Sequence, residues 1–322
     1  MKKRKLKIGV FFGGKSAEHE VSIKSAQNII NALDKKKYQI IPVKIGRDGK
    51  FSLEQIKKFD VVFPVLHGPF GEDGSFQGFL KLVQVPFVGP GVLSSAVGMD
   101  KDVMKRLLRE GGIPIGEFIV VRFGEKISFK EISKKLGLPM FIKPANLGSS
   151  VGIYKVKNEK EFQRGLKDAF QYDTKVVIEK NINGREIECS VLGNENPIAS
   201  VPGEIISNAD FYSYASKYID NKSVSQIPAN IPKNIEKKVQ DMAVKVFKTL
   251  NCEGLGRVDF FLTKNGKILA NEINTLPGFT AISMYPKMWE ASGLPISRLL
   301  DRLIELAIAR FKRDAKLKNT VK

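Results

Sequence analysis

At 322 residues the chain is too long for one core of the commonest size, so two or three domains or one large α/β assembly is expected. Hydrophobic residues at 43 % and charged residues at 27 % are ordinary for a folded soluble protein, and no apolar run approaches the roughly 20 residues of a membrane span. The net charge of +19 attracts polyanions in general, but lysine is spread along the chain and the densest runs sit at its ends, which favours a solvated surface over a nucleic-acid footprint.

The opening Met1-Lys2-Lys3-Arg4-Lys5 is basic but leads into a short strand-like run without a small-residue cleavage site, a poor signal peptide. Leu6 to Phe12 reads as a buried strand, and Ile23, Ala26, Ile29, Ile30 and Leu33 have helical spacing. Ile40 to Ile45 and Val61 to Leu66 are further strands, and Phe76 to Val83 is a short helix. This βαβ rhythm predicts a parallel sheet covered by helices. Pro86 to Gly91 breaks the pattern.

A smaller α+β unit follows, with a helix near Asp102 to Glu110 and strands around Phe118 to Val121, Met140 to Lys143, Gly152 to Val156 and Val176 to Glu179. A third contains strand Ile187 to Leu192, an irregular stretch at 204–232, a helix from about Asn234 to Leu250, a hairpin and a final helix. Leu299, Leu300, Leu303, Ile304, Ala307 and Phe311 stripe that last helix as a core face. The irregular stretch exceeds normal loop lengths and reads as a functional loop. Cys189 and Cys252 fit neither a disulfide framework nor a metal spacing, and buried free thiols in a reducing cytoplasm are expected.

Gly9 to Ser16 satisfies the P-loop pattern literally, yet Gly9, Val10, Phe11 and Phe12 lie inside the first strand, where no phosphate cradle can form. What survives is a turn at Gly13-Gly14, a helix N-terminus able to face an anion, and Glu18, able to hold an ammonium group or to satisfy the first helical turn. Lys143 ends a strand and leads into a glycine- and serine-containing loop through Gly148, Ser149, Ser150 and Gly152, where backbone N–H groups can approach a phosphate.

The sharpest local signal is the hairpin around Asn265-Gly266. A two-residue turn sets Asp259 opposite Glu272 and Arg257 opposite Asn274. By strand alternation, Arg257, Asp259, Phe261, Glu272 and Asn274 then share one face, and Val258, Phe260, Leu262, Leu269 and Ile273 the other. Opposed carboxylates repel unless a cation intervenes, and an Asp/Glu/Asn oxygen set suits Mg²⁺ held partly through nucleotide phosphates. Arg257 beside them could stabilise an oxyanion, the plainer alternative being an arginine–carboxylate network on a wet face.

Taken in order, Phe12 to Ser22, Leu66 to Gly74, Met99-Asp100-Lys101, Lys143 to Gly152, Lys217-Tyr218, Gly256 to Asp259 and Asn271 to Gly278 resemble the D-alanine–D-alanine ligase family of the ATP-grasp superfamily over nearly the whole chain. The resemblance implies an α/β, three-domain ATP-grasp architecture: a Rossmann-like N-terminal parallel-sheet domain at 1–98, a central subdomain at 99–180 and a C-terminal subdomain with the metal hairpin at 181–322. It implies ATP as substrate, two Mg²⁺ ions (Mn²⁺ as an alternative), D-alanine as the other substrate, a homodimer and a cytoplasmic location, with no nucleic-acid or membrane partner.

By the same resemblance, Lys101 and Lys143 contact phosphates, Glu179 and the Ile182 backbone read adenine, Glu186 meets the ribose, and Ser150, Lys217 and Phe261 complete the nucleotide site. Asp259, Glu272 and Asn274 match the metal ligands, with Arg257 beside them. Glu18 and His67 fall at the first D-alanine and Ser283 at the second, Gly278 binds substrate with a backbone N–H near it facing the oxyanion, and Ser149 and Tyr218 join Glu18 in closing the 204–232 loop. Ile282 stands where many members carry His, and Asn181 where some carry an aromatic residue. A D-alanine–D-lactate or other D-amino-acid ligase is the alternative within the superfamily, and a basic nucleic-acid-binding protein the remote one.

Overall fold

The computed structural model describes residues 4–52, 56–149, 151–207 and 223–318. The first third forms β1 (Leu6–Gly13), α1 (His19–Ala32), β2 (Tyr38–Ile45), a 3-10 turn (Ile56–Lys58), β3 (Val61–Val65), α2 (Ser75–Leu82) and α3 (Val92–Met99). The strands are parallel in the order β2-β1-β3. From Ile8 to Phe12 β1 is apolar, because both its faces are covered there. Ile8 and Val10 enter a core with α1, while Phe11 enters a second core with Val43, Ile45 and Val62. At the end of β1, Gly13 and Gly14 take φ values of +97° and +86°, and a Cβ on Gly13 would lie 2.3 Å from the Ile45 carbonyl oxygen. Only glycine fits that turn.

The middle of the chain forms α4 (Lys101–Glu110), β4 (Phe118–Arg122), α5 (Phe129–Leu136), β5 (Met140–Pro144), β6 (Tyr154–Val156), α6 (Glu159–Ala169) and β7 (Lys175–Lys180), with an antiparallel sheet in the order β4-β7-β5-β6. One face of that sheet (Val121, Met140, Ile142, Val176, Ile178) packs on α5 and α6. Alternation turns Phe118, Phe141, Lys143 and Glu179 to the other face. Helices α3, α5 and α6 were absent from the sequence reading. The last two carry legible N-terminal signals: Ser128 accepts from the Glu131 N–H and Asn158 from the Glu161 N–H.

The remainder forms β8 (Gly184–Gly193), β9 (Ile198–Ala199), β10 (Gly203–Ser207), β11 (Ser223–Gln226), α7 (Lys233–Thr249), β12 (Gly254–Thr263), β13 (Ile268–Asn274), α8 (Met284–Ala291) and α9 (Ile296–Asp314). Its antiparallel sheet runs β11-β10-β8-β12-β13, with β9 on β8. Ile187, Cys189, Val191, Val258, Phe260 and Ile273 bury one face under α7. Helix α9 returns to the first sheet, sharing its core through Leu299, Leu300, Leu303, Ile304 and Ala307. There Asp301 accepts from Lys37 at 2.6 Å and from the Tyr38 hydroxyl at 2.8 Å.

Two expectations are corrected. The stretch at 204–232 is not structureless: β10 and β11 pair from Glu204↔Gln226 to Ser207↔Ser223. Arg185 grips Glu204 through two hydrogen bonds of 2.7 and 2.6 Å, and Ile205 packs on Met284 and Met288. These long-range contacts, invisible to local periodicity, hold the strand.

The hairpin turn is also longer than read. Thr263 and Lys267 close a loop of Lys264, Asn265 and Gly266, with Gly266 at φ +77°, the three-residue type with a left-handed glycine. Pairs near the turn therefore sum to 530, as in Phe261↔Leu269, and Leu269 joins the polar face instead of the apolar one. A bulge between Asp259 and Phe260 then inserts Asn271 as an unpaired residue and restores Asp259↔Glu272 and Arg257↔Asn274.

Candidate active site

Six segments converge on a cavity of about 160 Å³. The β1–α1 turn contributes Glu18, and the loop after β3 contributes His67 and Glu72. Lys101 comes from the start of α4, Gly148 and Ser149 from the loop after β5, and Glu188, Arg257, Glu272 and Asn274 from the polar face of the last sheet. Gly278, Ile282 and Ser283 close the remaining wall. The cavity thus gathers Glu18, His67, Lys101, Ser149, Arg257, Glu272, Asn274, Gly278 and Ser283, residues singled out from the sequence over a span of some 260 positions.

On the N-terminal side, His67 is buried with Nδ1 3.8 Å from Glu72. Burial disfavours the imidazolium, yet Glu72 and Glu18 outweigh it and raise the His67 pKa. Burial pushes the Glu72 carboxyl up as well, while the Gly68 N–H donates to it at 2.8 Å. An imidazole whose protonated form is favoured in this way, next to buried Glu18, can meet both ends of an amino acid, the carboxylate and the ammonium. Opposite, the Ser283 hydroxyl accepts from the Thr280 N–H at 2.9 Å, and a Cβ on Gly278 would approach it to 3.0 Å. Gly278 therefore keeps backbone and hydroxyl together. Ile282 is exposed at the rim.

On the last sheet, Arg257 donates Nε and Nη2 to the two oxygens of Asp259, both at 2.7 Å, and its Nε lies 3.0 Å from Glu188. Glu188 sits opposite Asp259 across β8–β12, just as Glu272 does across β12–β13. Three carboxylates thus stand in one row with one guanidinium. Burial opposes the charge on Arg257, but Asp259 and Glu188 raise its pKa well above the usual range. Asn274 accepts from the Leu276 N–H at 3.1 Å. The row is an all-oxygen donor set with more negative than positive charge, which fits a hard divalent cation. Among the described residues no three His, Cys, Asp or Glu side chains form a metal cluster unaided. A magnesium ion here would take its remaining ligands from phosphate oxygens.

Between the two antiparallel sheets lies a second charged group. Lys143 donates to Glu179 at 2.7 Å, and Lys105, which sequence reasoning missed, lies 3.2 Å from the other Glu179 oxygen. Burial works against the Glu179 charge, but Lys105 and Lys143 take its pKa down to about 2. Burial would lower the Lys143 pKa, and Glu179 and Glu272 raise it instead. Lys101 is lowered by burial, with Lys143 and Lys105 adding to the effect, and it donates to the Leu147 carbonyl. Lys101 and Lys143 on this cleft are matched to a polyanion such as a triphosphate, while Lys105 is enclosed behind Glu179. Ile182, Glu186 and Phe261 are half-buried at the cleft edge, Glu186 lying opposite Phe261. Ser150, Lys217 and Tyr218 lie outside the described residues.

The rejected P-loop is explained by the same geometry. Gly9 to Phe12 pair with both neighbours inside β1, and the Gly13 N–H already donates to Ser22 Oγ at 2.7 Å. Lys15 lies against Gly49 and over the Phe70 ring, away from the lysine cleft.

Comparison with known proteins agrees with this arrangement. The family model described as D-ala D-ala ligase N-terminus matches residues 7–58 and 52–90, and the one described as D-ala D-ala ligase C-terminus matches 107–305. A D-alanine--D-alanine ligase of Oceanobacillus iheyensis is 48 % identical over 98 % of this chain and 99 % of its own length. The D-alanine--D-alanine ligase A of Escherichia coli K12 is 45 % identical over 98 % of this chain and 100 % of its own. Among solved structures, the D-alanine-D-alanine ligase from Coxiella burnetii superposes with a TM-score of 0.88 at 41 % identity, covering 98 % of this chain and 97 % of that one. The VanG D-Ala:D-Ser ligase from Enterococcus faecalis gives 0.85 at 38 %, over 94 % and 100 %. A Bacillus anthracis D-alanine--D-alanine ligase complexed with ATP gives 0.83 at 33 %, over 96 % and 99 %.

Proposed function

Because this chain belongs to the D-alanine–D-alanine ligase family, we propose that it joins two D-alanine molecules with ATP through an acyl phosphate, for peptidoglycan precursor synthesis. The observation that carries the reading is the single cavity lined by Glu18 and His67 on one side, Arg257 and Glu272 on another and Ser283 on a third.

The first D-alanine lies with its ammonium toward Glu18 and its carboxylate beside His67. That carboxylate attacks the γ-phosphorus of ATP in line and ADP departs, leaving an acyl phosphate. Lys101 and Lys143 orient the phosphates, with Glu179 and the Ile182 backbone at the adenine, Glu186 at the ribose and Phe261 beside them. Asp259, Glu272 and Asn274 would hold Mg²⁺ (two ions, with Mn²⁺ able to substitute), which when bound offsets charge on the transferring phosphoryl group. Ser283 and the Gly278 backbone hold the carboxylate of the second D-alanine, whose amine attacks the acyl carbon. Arg257 and the Gly278 N–H stabilise the tetrahedral oxyanion, and phosphate leaves as the amide forms. Ser149 stands at φ +53° on the cavity wall. Its role with Glu18 and Tyr218 is to exclude water from the acyl phosphate.

The domain division at 98 and 180, a homodimer and a cytoplasmic site of action complete the reading. No helix among the described residues is long and apolar enough to cross a membrane. The test is phosphate release from ATP and Mg²⁺ with and without D-alanine, with products identified by mass when D-alanine competes with D-serine and D-lactate. D-Alanine-dependent release yielding mainly D-alanyl-D-alanine is expected. Release independent of D-alanine, or mainly ester or D-serine product, refutes the assignment. Glu272→Gln should fold normally and lose Mg²⁺-dependent turnover, and near-normal activity at saturating Mg²⁺ would sink the metal assignment.

A further inference from the structure

Lys105 is only 2 % exposed and, like Lys143 and Glu179, stands behind the cavity wall rather than on it. It lies one turn beyond Lys101 on α4, so both side chains project from one helix face toward the cleft. Lys105 Nζ is 3.2 Å from Glu179, 3.4 Å from the carbonyl oxygen of the bulge residue Asn271, and 5.9 Å from the centre of the Phe118 ring. Phe118 and Phe141 are the cross-strand neighbours of Glu179 on either side. The carboxylate therefore stands in an aromatic slot with lysine as its means of staying ionised.

The two lysines on Glu179 are not equivalent. The Lys143 side chain is 11 % exposed and under the pull of Glu272 and Glu186 across the cleft, whereas that of Lys105 is 3 % exposed and tied to a main-chain carbonyl. Lys143 is the more exposed of the two, and Lys105 the more enclosed.

We propose that Lys105 is the fixed counter-ion of Glu179: it holds that carboxylate as an acceptor for the 6-amino group of adenine while Lys143 turns to the phosphates, and so sets the preference for a 6-amino over a 6-oxo purine. This rests on the assignment of Glu179 to the adenine. A carboxylate accepts from an amino group and repels a carbonyl oxygen, so its ionisation and position decide the selectivity. Without Lys105, nucleotide binding would leave Glu179 as a buried charge with no cation. It would then take up a proton or swing away, and either change removes the discrimination. Lys105 is on this view a positioning residue, also pinning the bulge that sets Glu272 opposite Asp259.

The experiment measures kcat and KM with ATP and with inosine triphosphate for the wild type, Lys105→Met, Lys143→Met and Glu179→Gln. Thermal melting checks that each variant is folded. Lys105→Met should raise KM for ATP and reduce the ATP-over-ITP ratio of kcat/KM by about 10- to 100-fold, the scale of one charged hydrogen bond, with kcat for ATP within a few-fold. Lys143→Met should weaken both nucleotides alike and keep the ratio. The proposal is overturned if Glu179→Gln loses the ratio while Lys105→Met keeps it, or if Lys143→Met loses it. The latter arm decides the matter even if Lys105→Met does not fold. If Glu179→Gln itself keeps the ratio, the assignment of Glu179 to the adenine has failed, and with it the premise.

Discussion

Arg257→Ala should damage the protein in two separable ways. The guanidinium makes two 2.7 Å hydrogen bonds to Asp259 and stands 3.0 Å from Glu188, with all three side chains at most 17 % exposed. Its loss removes the guanidinium shared by two largely buried carboxylates in a row that already contains Glu272, and breaking such a buried pairing costs about 3–5 kcal/mol. Loss of an oxyanion donor separately lowers turnover by about 10²–10³-fold. A divalent cation relieves the first effect by replacing the missing positive charge, but cannot donate the missing hydrogen bonds. Urea denaturation with and without Mg²⁺, alongside phosphate release at saturating D-alanine, distinguishes the two. The expected result is a variant destabilised by at least about 2 kcal/mol, partly restored by Mg²⁺, whose turnover per folded molecule stays at least tenfold down. Turnover that recovers in proportion to the folded fraction would show that Arg257 only neutralises carboxylates.

Lys15→Ala should leave KM for ATP within a few-fold, since Lys15 lies against Gly49 and Phe70, whereas Lys143→Ala should raise it strongly; the reverse would revive the P-loop. Glu179 has its pKa lowered to about 2 from 4.5, so the stability it contributes is full above pH 4.5 and lost as the pH falls through about 2. Urea midpoints measured between those values should fall less steeply in Glu179→Gln than in the wild type, and parallel curves would contradict the ion-paired assignment. Cys252, pushed up by burial, and Cys189, raised by burial to about 12, should resist thiol reagents in the native protein; rapid labelling without urea would show that neither is as enclosed as its surroundings imply.

Most of the parallel sheet and the charged face of the last hairpin were legible from local pattern. A strand buried on both faces, a helix of 3.6-residue period and an Asn-Gly turn each write their signal within ten residues or so. The short helices α5 and α6 were legible too, in Ser128-x-x-Glu131 and Asn158-x-x-Glu161, but were passed over because their apolar stripes are short. Strands β10 and β11 were not legible. Glu204 is stabilised by Arg185 and Ile205 by Met284 and Met288, partners 19 to 83 positions away, and no local window contains them.

The site divides along the same line. Asp259 and Glu272 were paired correctly by a register argument that holds where it matters only because two irregularities cancel. The turn is one residue longer than Asn-Gly alone suggests, and the bulge at Asn271 returns the strand to the assumed register. Leu269, between the two, records the error by sitting on the other face. Glu188 and Lys105 escaped notice for a different reason. Glu188 reaches the carboxylate row only because β12 pairs with β8 across some 70 residues, and Lys105 reaches Glu179 only because α4 lies over that sheet. Both are charges that burial makes costly unless another charge meets them, and the partner is chosen by topology. A buried lysine read from sequence is one more surface lysine among the 53 basic residues of the chain. Its partner reveals what it is for, and here that partner is Glu179, the buried carboxylate proposed to meet the adenine.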